Sequence, residues 1–511
     1  MKKKIISLMS CAVMGASLMT GCGGDSDTSS AASGGANSDG TYSDFITVDV
    51  FAGQANYQGL QSGWFAKVVK DKFNMELNII APNVAGGGDT LFQTRSAAGD
   101  LGDLILTNTD GGRLQNLVTA GLVMDMTDLL ADAENVHQYD TAIETVNELA
   151  GAEGIYAIPS EVSQSAPTEA SESLEPTFGP YLRWDAYKAV GYPEIKDLNG
   201  LLDVLKQMQE AVPTSDSGKQ TYALSFFKDW DGNMMNNAKQ PTCFYGYDEL
   251  GFVLAKADGS DYQDITASDS MYMKVLEFFY KANQMGLVDP ESTTQNYDTM
   301  FAKYQDGQPV LTDFGKKALY GEEVAVPEEY GSGNWQDGVS ALNFKAENYK
   351  DTNSELGVPY DYTLWDSVLA ENNTALDLDW QEHMGATTTM EFLENNNKIM
   401  VAPGSGFAAP EEDSQITTLR GQCKATIIDT SWQMIFASSD EEFTSLQQQM
   451  QDTLEGLDYQ TVLDYDMDLA HQQNDARVAV VEQYESETGG DEAADTATDS
   501  TFAVSSSSTA E

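Results

Sequence analysis

The sequence predicts an α/β fold with a parallel sheet near its start, and two observations carry this prediction. Three apolar or β-branched runs alternate with two helical segments; the runs read FITVDVF, MELNIIAP and LGDLILTN, and the segments read SGWFAKVVKDKFN and GGGDTLFQTRSAAG. Strand–helix–strand order places consecutive strands parallel under covering helices. The chain has 511 residues, of which 41% are hydrophobic, and this is enough to bury one or two cores.

Polar residues follow the first and the third predicted strand. Ligands of parallel sheets bind beyond the carboxyl ends of the strands, and loops placed there commonly carry binding residues. The sequence therefore predicts ligand-binding residues in these two loops, namely Gln54, Asn56, Tyr57, Asn108 and Asp110.

Helices with capping signals follow later in the chain. We expect Asp197 to cap one helix, Gly286 to end a second, and Ser439 with Glu442 to form a capping box at a third. A further helix is predicted over residues 458–485. The inward faces of the first two helices consist of apolar residues at helical spacing, which are Leu201, Leu202, Leu205, Met208, Tyr272, Val275, Leu276 and Phe279.

The first 21 residues have the pattern of a secretory signal: Lys2 to Lys4, a short apolar run, and then small residues before Cys22. The run is shorter than the roughly 20 residues that a membrane span needs. The stretch Leu18-Met19-Thr20-Gly21-Cys22 resembles the lipobox of bacterial lipoproteins, with Met19 where Leu is usual. The resemblance implies cleavage before Cys22, acylation of this cysteine, and an extracytoplasmic, lipid-anchored protein.

Gly-, Ser-, Ala- and Asp-rich segments flank the body of the chain. Residues 22–43 are predicted to be a flexible tether and residues 486–511 a disordered tail. The formal net charge is −54, and this field excludes nucleic acid and anionic headgroups as partners. The same charge favours a monomer.

Two cysteines, Cys243 and Cys423, remain in the body of the chain. An exported protein can oxidise such a pair, and two separate buried thiols are the equal alternative. The three histidines are scattered, and the residue six positions after Gly232 in DWDGN is alanine instead of the glutamate of a calcium loop. We therefore expect no metal and no cofactor.

Several stretches, in their order, resemble the extracellular solute-binding proteins of ABC importers, in the family 1 branch that handles sugars and oligosaccharides. They read GLVMDMTDLLADAENV, GIYAIPSE, GPYLRWDAYKAVGYPEIKDLNGLLDVLKQMQE and MGLVDPESTTQNYDTMFAKYQDGQPVLT. Arg183 and Asp185 match the family pattern, whereas Trp184 precedes the aspartate instead of following it. The resemblance spans about residues 45–485.

The resemblance implies a two-lobed periplasmic-binding-protein-like fold, in which each lobe is a mostly parallel sheet flanked by helices. The first lobe would hold residues 44–155 plus about 295–345. The second would hold residues 156–290 plus about 346–485, including extra C-terminal helices. The lobes would close on a carbohydrate and deliver it to the permease subunits of an ABC transporter, so the protein itself would not be an enzyme.

Sugar binding requires aromatic platforms and polar side chains that pair with hydroxyls. Arg183, Trp230 and Trp335 are predicted to supply these contacts, since both tryptophans lie among loop residues. Trp64 is expected in the core. For Trp365 and Trp432 the sequence leaves two alternatives open, a position in the binding site and a position in the core. Two rival functions remain, a secreted carbohydrate hydrolase or lyase and a ligand-sensing lipoprotein that feeds a receptor.

Overall fold

The computed structural model describes residues 42–314 and 373–488, except 43, 54, 56–57, 83–87, 161, 163–164, 171–173, 177 and 229–232, together with residues 352–353, 358–359 and 369. The predicted signal, tether and tail lie outside the described residues, and so does the predicted lobe segment 315–345. No helix in the described part is both long and apolar enough to span a bilayer.

The described elements are numbered in chain order. The strands are β1 (Ile46–Ala52), β2 (Gly59–Leu60), β3 (Met75–Ile80), β4 (Leu104–Leu106), β5 (Phe178–Leu182), β6 (Tyr247–Leu250), β7 (Val253–Lys256), β8 (Tyr262–Asp264), β9 (Leu311–Phe314), β10 (Thr352–Asn353) and β11 (Val358–Pro359). The α-helices are α1 (Gly63–Phe73), α2 (Gly88–Ala98), α3 (Arg113–Thr119), α4 (Thr127–Leu130), α5 (Asp140–Glu148), α6 (Trp184–Ala189), α7 (Leu198–Ala211), α8 (Met234–Lys239), α9 (Met271–Gln284), α10 (Tyr297–Gln305), α11 (Ala375–Met384), α12 (Thr389–Asn395), α13 (Ser414–Ile435), α14 (Asp440–Gly456) and α15 (Tyr459–Thr488).

The first sheet has the order β2-β3-β1-β4, and β1 pairs in parallel with both β3 and β4. Alternate residues of β1 face opposite sides of the sheet, as the strand period requires. Val50 packs with Val69 of α1 on one face, and Phe51 packs with Phe92 of α2 on the other. The predicted strand–helix–strand–helix–strand order is therefore confirmed, and these elements form a first unit with its own core.

A second unit has a separate and larger core, built from α7, α9, the sheet β6-β7-β8 and the C-terminal helices α13 to α15. The predicted inward faces of α7 and α9 are buried. Asp197 accepts a hydrogen bond from the Gly200 amide, and Gly286 has the left-handed φ of 72° that favours glycine after a helix. The helix predicted over 458–485 is α15.

Strand pairing in the second unit differs from that in the first. The strands β5 and β9 pair antiparallel, and so do β6, β7 and β8. Within the described residues of this unit, parallel pairing consists of two isolated bridges, Tyr222 to Pro309 and Leu224 to Val288. Strand β9 lies against this unit, since Val310 and Leu311 belong to its core, and Met300 and Tyr304 of helix α10 pack with Phe227. The predicted lobe boundaries stay a prediction.

The capping box at α14 is half formed. Ser439 Oγ accepts the Glu442 amide at 3.2 Å, as predicted. The Glu442 carboxylate, however, accepts the amide of Ser438, one residue before the N-cap, at 2.7 Å. Hydrogen bonds from Ser438 lower the pKa of Glu442. The helix start is therefore held from two successive residues instead of one.

The two cysteines of the body are not joined by a disulfide. Cys423 is fully buried in α13, where burial raises the pKa of its thiol. Cys243 lies in a 3-10 helix over Gln240–Tyr245 and is exposed. Of the two alternatives that the sequence left open, the disulfide is not formed, and that of two separate buried thiols holds for Cys423 alone, since Cys243 is exposed.

Gln61 is a buried amide without a hydrogen-bond partner among the described residues. The residue is 7% exposed, and neither its Oε1 nor its Nε2 has a partner. Its backbone amide pairs with Leu77, and directly paired residues of neighbouring strands point to the same face. The amide therefore lies on the apolar α1 face, where an unpaired polar group costs free energy.

Replacing Gln61 by methionine should raise the free energy of unfolding by about 1–3 kcal/mol, because it removes an unmet desolvation cost while keeping the length of the side chain. Urea unfolding monitored by circular dichroism measures the change. The matched control is Gln209→Met: Gln209 is also buried, but its Nε2 donates to Thr221 O at 3.0 Å and Gly286 O at 3.1 Å. The control should lower stability, and a loss of stability in Gln61→Met would contradict this account.

Candidate functional site

The carboxyl ends of β1, β3 and β4 lie at one edge of the first sheet, because these strands are parallel. Gly53 extends β1 at this edge by donating its amide to Leu106 O at 2.9 Å. Asn108 and Asp110 follow β4 and are exposed. Both therefore lie at the edge where ligand was predicted to bind, and their contact with ligand stays a prediction.

Asp110 has a contact that the sequence did not reveal. Its Oδ1 accepts the amide of Ala409 at 3.0 Å, and the amide of Gly111 donates to Ala409 O at 2.8 Å. A few residues earlier, a Cβ on Gly406 would lie 2.3 Å from Thr145 Cγ2, so the backbone passes helix α5 closely there. Asp110 thus holds Ala409, in the segment that leads into α13, against the loop after β4.

Arg183 is engaged inside the protein. Its Nε and one terminal nitrogen donate to Asp185 at 2.8 and 2.9 Å, and the other terminal nitrogen donates to Gly307 O. The side chain is 18% exposed. This pairing joins the end of β5 to the turn after α10, and a role of Arg183 in ligand binding stays a prediction.

The other predicted binding residues lie outside the described residues; they are Gln54, Asn56, Tyr57, Trp230 and Trp335. The same holds for Trp365 and for the side chain of Trp64. Trp432 is partly buried against the second core, with its ring 6.3 Å from that of Phe226 and stacked with Phe436. For Trp432 the structure therefore favours the core over the site.

A buried polar network in the second unit follows directly after the parallel bridge between Leu224 and Val288. Asp289 is 1% exposed and accepts hydrogen bonds from Ser225 Oγ and Lys303 Nζ, each at 2.7 Å. Burial opposes the charge of Lys303, but hydrogen bonds to Asp289 and Glu291 outweigh it and raise the pKa of the ammonium. Gln295 Nε2 donates to Ser225 Oγ at 2.8 Å. No pattern in the sequence predicts this network, because its members come from three separate stretches of the chain.

Trp184 anchors α11 to α6. Its Nε1 donates to Asp379 at 2.8 Å, and the same carboxylate accepts Tyr192 OH at 2.7 Å and Lys188 Nζ. Hydrogen bonds from Lys188, Tyr192 and Trp184 lower the pKa of Asp379 to about 2. Trp184, the tryptophan that departs from the family pattern, thus has a hydrogen-bond partner in Asp379.

An apolar cavity lies in the second unit between the strand-like stretch before Lys228 and helix α9. Its volume is about 40 Å³, and aromatic residues such as Phe226, Phe244 and Phe278 line it. An engineered apolar cavity that admits benzene measures roughly 150 Å³. This cavity is therefore too small for a sugar ring, and its walls offer few of the polar groups that hydroxyls need.

Replacing Asp110 by alanine should speed amide exchange at Ala409, because the amide loses its acceptor. The expected loss of unfolding free energy is about 1 kcal/mol. Hydrogen-exchange mass spectrometry of peptides over residues 406–412 measures the first effect, and urea unfolding the second.

The matched control is Asp110→Asn, which keeps an acceptor oxygen and should protect Ala409 as the native chain does. Unchanged exchange at Ala409 in Asp110→Ala, combined with weaker ligand binding, would contradict the structural role of Asp110 and favour its predicted role as a ligand contact.

No family model and no curated protein matches the chain. Among solved structures, the chain is similar to the ABC-transporter substrate-binding protein FusA of S. pneumoniae in complex with kestose, at 13% identity, 86% coverage of this chain, 100% of that chain and a TM-score of 0.48. The chain is also similar to an HMO-binding solute-binding protein from Bifidobacterium longum infantis, at 12% identity, with 84% of this chain and 99% of that chain covered and a TM-score of 0.42. A third similar structure is a sugar transporter from Arthrobacter chlorophenolicus A6 with bound laminaribiose, at 11% identity, with 80% of this chain and 99% of that chain covered and a TM-score of 0.40. Likeness of fold at this level does not assign a function to the chain.

Proposed function

We propose that the chain is the extracytoplasmic solute-binding component of an ABC importer and that it captures an oligosaccharide without changing it chemically. The observation that carries the proposal is the position along the chain at which residues stop packing in the clusters of the first sheet and begin to pack in the core of the second unit. The apolar clusters of the first sheet draw on residues 48–123, and the second core begins at Leu182. The family resemblance places the crossing between lobes in the same interval, at GIYAIPSE and GPYLRWD.

The arrangement of the strand ends supports the proposal. The first unit presents Asn108 and Asp110 at the carboxyl edge of a parallel sheet, and the second unit has a buried polar network at the end of its own parallel bridges. Amide and carboxylate groups are suited to pair with sugar hydroxyls. Binding would shift an open–closed equilibrium, and the permease would recognise the closed form.

A thermal-shift panel tests the proposed function. Kestose and laminaribiose, the sugars bound in two of the structures named above, form the saccharide arm, and amino acids and short peptides form the control arm. A true ligand at about 100 times its dissociation constant should stabilise the protein by roughly 2.7 kcal/mol. A shift with peptides and none with any saccharide would contradict the proposed ligand class.

Membrane attachment through Cys22 is part of the proposal. Since two or more acyl chains anchor a protein stably, Cys22→Ser should release the protein into the medium or leave it uncleaved in the membrane. Cell fractionation with mass spectrometry of the N-terminus measures this, and sugar binding by the released body should persist. A mature, membrane-bound Cys22→Ser protein would contradict the lipid anchor.

A further inference from the structure

An exposed apolar surface lies at the amino end of the first sheet, where helix α1 ends and strand β1 begins. Phe45, Ile46 and Phe73 are 49%, 49% and 43% exposed. The Ile46 amide donates to Asn74 O at 3.3 Å, which brings the start of β1 beside Phe73. Lys70 Nζ lies 5.8 Å from the ring centroid of Phe45. The three apolar side chains therefore lie together, and we call them the entry surface.

The entry surface lies where the N-terminal segment reaches the folded part of the chain. Asn74 ends α1 with a left-handed φ of 52°, and its Nδ2 donates to Tyr42 O at 3.0 Å. The ring of Tyr42 lies 6.2 Å from that of Phe73. Residues 23–41 have no apolar side chain larger than that of alanine. This segment therefore cannot supply an apolar cover for the surface.

The charges next to the entry surface differ from those of the chain as a whole. Lys70 and Lys72 lie in the last turn of α1 and are exposed. Asp71 between them is paired with Lys67, and Asp44, which precedes Phe45 in the chain, is also exposed. Two lysines thus flank the surface on a chain with a net charge of −54.

Contiguous apolar surfaces of this kind are typical of contacts with a protein or with a membrane. A second copy of the chain is disfavoured, because two molecules with a net charge of −54 repel each other. The interface of a bilayer accepts aromatic and aliphatic side chains. Lysines beside them can extend their ammonium groups to the headgroup phosphates. The chemistry of the entry surface therefore favours a membrane.

The position of the entry surface supports the same partner. Residues 22–43 join the proposed acyl chains on Cys22 to this end of the sheet. A flexible chain of this length has a root-mean-square span of roughly 25 Å, and short flexible linkers give effective concentrations in the millimolar range. Even a weak contact of the entry surface with the bilayer would therefore be populated.

We propose that the entry surface rests on the membrane, with Phe45, Ile46 and Phe73 in the headgroup region and with Lys70 and Lys72 beside lipid phosphates. This inference rests on the lipid anchor of the proposed function and adds a second, reversible contact to it.

The contact has a consequence for ligand capture. Asn108 and Asp110 lie at the carboxyl edge of the same sheet, whereas the entry surface lies at the amino end of its parallel strands. A body that rests on the entry surface therefore turns the carboxyl edge away from the bilayer and towards incoming solute.

Hydroxyl-radical footprinting, read by mass spectrometry, tests the inference because it reports the exposure of aromatic side chains. The acylated mature protein is reconstituted in phosphatidylcholine vesicles, and the reference is the same mature chain without acyl groups, mixed with the same vesicles. Oxidation of Phe45 and Phe73 should be about threefold slower in the anchored protein, as expected for contact during about two-thirds of the time. Tyr484, an exposed aromatic of α15, should be oxidised equally in both samples.

The informative variant is Phe73→Ser, with Phe45 as the reporter. Removal of the ring takes away apolar area that contacts the bilayer, so anchored and unanchored forms of this variant should be oxidised at Phe45 at similar rates. Phe73→Leu keeps an apolar side chain and should keep the protection. The matched control is Leu378→Ser, at an exposed leucine of α11, which should also keep it. Urea unfolding verifies that each variant is folded.

The outcomes separate this inference from the proposed function. If the mature protein carries no acyl group, the proposed anchor fails, and the membrane contact fails with it. If anchored and unanchored native chains are oxidised equally at Phe45 and Phe73, the membrane contact is overturned, while the anchor and the capture of sugar stand. Protection that persists without vesicles and rises with protein concentration indicates a second copy on the entry surface and also overturns the membrane contact.

Discussion

The contact between Arg420 and Asp466 is the interaction on which the packing of the second unit depends. Asp466 is 1% exposed and accepts both terminal nitrogens of Arg420, at 2.8 and 2.5 Å, together with the Phe252 amide at 2.7 Å. One carboxylate thus joins α13, α15 and the turn between β6 and β7. A Cβ on Gly251 would lie 2.1 Å from its Oδ2. Since breaking a buried pair costs about 3–5 kcal/mol, these elements are constrained to pack together.

The same arginine extends this constraint to the first unit. Arg420 Nε donates to Glu412 at 2.7 Å, and Glu412 lies three residues after Ala409, which Asp110 holds. Three residues span at most about 11 Å of extended chain. The path from the buried ion pair to the strand edge of the first unit is therefore short.

The elements that the sequence predicted correctly depend on interactions between residues that are close together in the chain. Alternation in β1 and β3 and the cap at Asp197 depend on neighbours within a few residues, so a local pattern reveals them. The contact of Asp110 with Ala409 joins residues 299 apart, and with 81 acidic residues in the chain no pattern selects the right one.

Recovery of a bound ligand shows most directly whether the protein holds an oligosaccharide intact. The mature protein is mixed with neutral oligosaccharides, separated from unbound sugar by gel filtration and then denatured, and the released molecules are identified by mass spectrometry. We expect about one unmodified oligosaccharide per chain. Accumulation of shorter products in the mixture, or no saccharide retained by the protein, would show that the proposed function is wrong.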